Sequence, residues 1–69
     1  MYSVIQQING SFTVKFEGSD LNSIKYNYFN WLSLLYNDTG AVNGVVKLVD
    51  GNLDVVDGCV EFINKAAKQ

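Results

Sequence analysis

Asp50, Asn52, Asp54 and Glu61 fall at positions one, three, five and twelve counted from Asp50, the spacing at which an EF-hand loop offers oxygen ligands to Ca²⁺. The context is wrong for such a loop. Its sixth position, where the chain must turn sharply and glycine is needed, is Val55. Its eighth is Asp57 rather than an apolar residue, and the flank GAVNGVVKLV is a poor helix. Turn residues and a solvated strand face account for the same four side chains, so a weak Ca²⁺-binding module ranks third among the functional readings. Asp54 and Glu61 would suit acid/base work only across a cleft that drives their pKa values apart, and no concave site is evident.

Covalent chemistry has less to draw on. The chain has no histidine, and its single cysteine, Cys59, is flanked by apolar residues, the setting of a small structural hydrophobe. Its glycines follow Asn or Asp or close an element, and no GxGxxG or Walker pattern occurs. The expectation is a non-enzymatic protein with no cofactor, no metal and no small-molecule substrate.

What positions these residues is a short chain with enough apolar content for one core. Sixty-nine residues, 48% hydrophobic and without proline, specify a single small domain spanning 1–69 that folds but cannot enclose a deep cavity. Arginine is absent, and the net charge of −2 leaves no basic stripe for a phosphate backbone, so nucleic acid is not expected as a ligand. One cysteine cannot form an internal bridge, and no apolar run approaches membrane-spanning length. No signal peptide or membrane partner is expected, and the expected location is the cytoplasm.

The word Val-Asn/Asp-Gly recurs every seven residues at Val42, Val49 and Val56, and it reads as fold punctuation. Asp-Gly between apolar runs marks a two-residue type I′ hairpin, because both central residues need positive φ. Asp50-Gly51 and Asp57-Gly58 then separate strands Val45–Val49, Asn52–Val56 and Cys59–Ile63. In this register Val46, Leu48, Leu53, Val55, Val60 and Phe62 share one face, and Lys47, Asp54 and Glu61 form a row on the other. The competing pattern is a C-terminal helix from about Gly58, capped by Asp57, with Val60, Phe62, Ile63, Ala66 and Ala67 on one side.

Asn9-Gly10 turns a first hairpin between a strand near Tyr2–Gln7 and the alternating Phe12, Val14 and Phe16. A bulged three-residue loop sets Tyr2, Val4 and Gln6 against Phe16, Val14 and Phe12 and is the expected register because it buries more, whereas a plain two-residue loop puts Ser3, Ile5 and Gln7 there. Between the hairpins, Ser19 or Asp20 caps a helix ending near Gly40, whose seam is Leu21, Ile24, Tyr28, Trp31, Leu32 and Leu35. The fold class is α+β, ββαβββ with one helix on an antiparallel sheet, or ββαββα if the C-terminus is helical.

Two surpluses of apolar surface point to protein partners. Tyr26, Phe29, Ser33 and Tyr36 form a second helix stripe edged by Asn22 and Asn30, a composition suited to protein contact. Val45, Val49, Val56, Cys59 and Ile63 flank the charged row on the outer sheet and offer self-association across a two-fold axis. The leading expectation is a protein-binding domain that occludes a larger intracellular protein; the alternative is a structural subunit forming a homodimer. In composition the chain resembles the small accessory proteins and host-directed inhibitors of bacteriophages, which implies an inhibitor or modulator and carries over no residue.

Overall fold

The computed structural model describes residues 1–40 and 43–65. Its elements are β1 (Tyr2–Ile8), β2 (Ser11–Gly18), α1 (Leu21–Asn37), β3 (Asn43–Val49) and β4 (Val55–Asn64). The strands form one antiparallel sheet in the order β2-β1-β3-β4. The helix carries the chain from edge strand β2 across one face to β3, beyond β1, and lies against β1, β2 and β3. A small α+β fold with one helix on an antiparallel sheet is what the patterning specifies.

Asn9 and Gly10 both take positive φ, 53° and 87°, and Ile8 pairs with Ser11, so the first turn is a two-residue hairpin. Near the turn Gln7 faces Phe12 and Ile5 faces Val14, as a plain loop dictates. The register then slips at Lys15, bringing Phe16 opposite Val4. The plain register therefore holds near the turn, while the bulged-loop register, with Val4 on Val14 and Gln6 on Phe12, forms nowhere: the extra residue sits in β2 at Lys15, not in the loop, and shifts the far half the other way. It turns Lys15 onto the helix side, where the ammonium sits 4.4 Å above the Trp31 ring.

The helix starts where Asp20 accepts a bond from the Asn22 amide at 3.3 Å and another from the Ser23 hydroxyl at 2.8 Å. At its other end Lys65, just beyond β4, donates to the Leu35 carbonyl at 2.6 Å and to the Asp38 carbonyl. A cation thus meets the negative end of the helix dipole and adds to the bond that the Leu35 carbonyl already accepts from the Asp38 amide. Ile24, Tyr28 and Leu35 are buried against Val4, Val46, Leu48, Cys59 and Ile63, with Leu21, Trp31 and Leu32 packed at the rim. Each such large aliphatic side chain contributes about 1.5–3 kcal/mol through burial.

The C-terminal third departs from the expected meander. Only Asp50-Gly51 reverses the chain, in a loop where the Leu53 amide donates to the Asp50 carbonyl and Leu53 takes φ 66°. Asp57 and Gly58 also have positive φ, 52° and 69°, yet lie within β4 as a bulge, and Lys47 pairs directly with Val60. The proposed strands Asn52–Val56 and Cys59–Ile63 are therefore a loop followed by one long strand, and the sheet has four strands. Strand rather than helix runs through Cys59–Asn64; Ala66 and Ala67 lie outside the described residues.

Candidate protein-contact surfaces

Pairing Cys59–Ile63 directly with β3 reverses which of its side chains share a face with Val45 and Lys47. Lys47 now lies beside Val60, and Val45 beside Phe62. The Lys47-Asp54-Glu61 row does not form: Asp54 is in the loop, and Glu61 is on the helix side accepting a bond from the Tyr36 hydroxyl. That bond raises the Tyr36 pKa.

The self-association set separates in the same way. Cys59 and Ile63 are in the core, Val56 packs against it, and Val49 is fully buried, so of the five only Val45 remains a partly open outer-face residue. Burial pushes the Cys59 pKa up, which keeps it a thiol rather than a nucleophilic thiolate at neutral pH.

The Ca²⁺ pattern also disperses. The Asp50 carboxylate accepts from the Asn52 amide at 2.8 Å and the Asp54 amide at 3.1 Å, closing the loop on itself. Among the described residues no group of three His, Cys, Asp or Glu side chains is placed to hold a metal ion. Among them, too, no helix is long and apolar enough to cross a membrane.

The helix stripe is where the periodicity puts it. Tyr26, Phe29, Ser33 and Tyr36 are all exposed on the flank toward β4. Two ties fix that flank to the edge strand, Tyr36 to Glu61 and Lys25 to Asp57 at 2.5 Å. The Asp57 hydrogen bond raises the Lys25 pKa. Phe29 rests edge-on against Tyr28, ring centroids 5.0 Å apart, which leaves Tyr26 as the most exposed ring of the flank at 72%.

The larger surface is the face of the sheet opposite the helix. Strand alternation and the observed registers arrange it in three rows across β2, β1, β3 and β4. One end row is Glu17, Ser3, Val49 and Val55; the middle row is Val14, Ile5, Lys47 and Val60; the other end row is Phe12, Gln7, Val45 and Phe62. Phe12 and Phe62 stand 65% and 73% exposed at opposite edges. Between them lie two shallow hollows, of about 140 Å³ and about 340 Å³, that meet at Gln7 and Val45. Lys47 and Glu17 carry the charge of these rows, and neither has an ion-pair partner among the described residues.

Sequence reasoning placed Phe62 on the core face and Phe12 beside β1 with Val14, and so missed this surface. The available signal was that Phe12 and Phe62 each sit two residues from another large apolar side chain, on strands with only one helix to cover them. No protein-family model matches the chain, and no curated protein or solved structure matches it either. The fold is that of a small α+β domain in which, among the described residues, no helix packs on the sheet face opposite α1, although Val49 at one end of that face is fully buried.

Proposed function

We propose that this chain is a small non-enzymatic protein-binding domain that acts by contact, with the uncovered sheet face as its main contact surface. The observation that carries this reading is the pair of exposed rings, Phe12 and Phe62, framing a face that also holds Val14, Ile5, Val45 and Val60. Large exposed apolar side chains grouped on one face of a small domain and interspersed with polar ones are characteristic of interaction sites. The shallow hollows offer relief for a protein surface rather than an enclosed ligand cavity.

A second reading uses the helix flank to occlude a larger protein. It is favoured by the exposure of Tyr26 beside Phe29, Ser33 and Tyr36, aromatic and polar side chains in alternation. Two double variants separate the readings, Phe12→Ser with Phe62→Ser and Tyr26→Ser with Tyr36→Ser. All four rings are largely outside the core, so both proteins should fold. Loss of association in sedimentation velocity with the sheet-face variant alone supports the first reading; loss with the flank variant alone supports the second.

A further inference from the structure

We infer that the occupant of the uncovered sheet face is a second copy of this chain, packed face to face about a two-fold axis running along the strands between β1 and β3. The inference rests on the sheet-face reading above and adds the partner and the register.

The pattern of the face selects this axis. A two-fold parallel to the strands lays β2 of one copy over β4 of the other and keeps each row over itself. Phe12 then meets the partner's Phe62, Val14 meets the partner's Val60, and Lys47 lies over the partner's Ile5. Every ring finds a ring, twice over by symmetry. A two-fold across the strands would instead set Lys47 on its own copy and Glu17 on Phe12, opposing like charges and burying a carboxylate against a ring.

The charges supply a second argument. Within one copy Glu17 and Lys47 are separated by two strand spacings and one row, about 12 Å in plan. In the proposed pair, Lys47 and the partner's Glu17 are separated by one strand spacing and one row, about 8 Å in plan, within reach of the two side chains across sheets spaced about 10 Å apart. Each unpaired charge of the face gains its complement, and the Lys47 stem can lie along the partner's Ile5 while its ammonium reaches the carboxylate.

The area suits an association of moderate strength. Four strands and the run from Phe12 to Glu17 make a footprint of about 19 Å by about 20 Å, which with side-chain relief removes about 500 Å² from each copy. A total of about 1,000 Å² lies at the lower end of specific interfaces, in the size class of weak or transient association.

The test combines sedimentation equilibrium with register-specific crosslinking. Phe12→Cys and Phe62→Cys are made as separate proteins in a Cys59→Ala background, mixed and treated with a short bis-maleimide whose spacer suits sheets about 10 Å apart. The expected product is a mixed crosslink joining position 12 to position 62, in excess over both like-with-like products. Lys47→Glu and Glu17→Lys should each weaken the dimer about tenfold, and a chain carrying both should recover it. A monomer at all concentrations overturns the inference. A dimer that survives Phe12→Ser with Phe62→Ser overturns the sheet-face reading as well. A dimer abolished by that variant, but crosslinked like-with-like or unrestored by the charge exchange, overturns the register alone.

Discussion

Gly44 is the position at which the pairing of β1 with β3 can be tested by adding one carbon. A Cβ there would lie 2.9 Å from the Ile8 Cα and closer still to the Gln7 carbonyl oxygen. Both neighbours are backbone, so no rotamer change relieves the clash. Restoring ordinary contact requires β1 and β3 to part by more than about 1 Å at this end, enough to break the local ladder bonds. Two such bonds at about 1 kcal/mol each, with partial loss of Ile8 and Ile63 packing, bring the cost to about 3 kcal/mol. A domain of this size has only a few kcal/mol in total. Gly44→Ala should therefore lower the melting temperature by about 15 °C or leave the chain largely unfolded in circular dichroism. Gly10→Ala is the control: its φ is 87° but the space around it is open, so it should cost about 1 kcal/mol, about 4–8 °C. A Gly44→Ala protein melting within about 3 °C of the parent, or one less affected than Gly10→Ala, would refute the β1–β3 register.

Three further outcomes follow from particular side chains. Tyr28 is buried in the core and its pKa is pushed up to about 12, chiefly by burial, so folding favours the neutral phenol. Its contribution is complete below the unfolded value near pH 10 and is lost as pH rises toward 12; Tyr28→Phe should flatten that alkaline decline in urea midpoints. Leu53 takes φ 66° with its side chain 71% exposed, so Leu53→Asn should relieve left-handed strain and raise the melting temperature by about 4–8 °C in calorimetry. Cys59 should resist a thiol reagent in the native protein and react fully once the chain is denatured, because its sulfur is buried and its thiolate disfavoured.

The helix was legible because its signals are local: Asp20 as the cap, and a seam from Leu21 to Leu35 that returns at helical period. The Asn9-Gly10 reversal was legible for the same reason, but its register was not, because the bulge sits at Lys15 in β2 instead of in the loop. The lower half of the sheet was not, because Asp57-Gly58 has the same positive-φ signature in a bulge as in a type I′ turn. What decides between them is the pairing of Val60 and Phe62 with Lys47 and Val45, together with the Lys25–Asp57 ion pair that holds the bulge toward the helix. Neither is encoded by a short stretch of chain. The consequence for the surfaces was direct: with the parity of β4 reversed, Cys59 and Ile63 moved into the core and Phe62 moved out. The helix flank depended on no strand pairing, and its side chains are exposed where the helical period puts them.

The sheet face away from the helix is the proposed place where this protein meets another. The most direct measurement is a dilution series followed by amide chemical shifts from millimolar to low micromolar concentration. The amides of Phe12, Val14, Lys47, Val60 and Phe62 should shift in concert and saturably, with Tyr26, Phe29 and Ser33 stationary. Shifts confined to the helix, or spectra identical at every concentration, would contradict it.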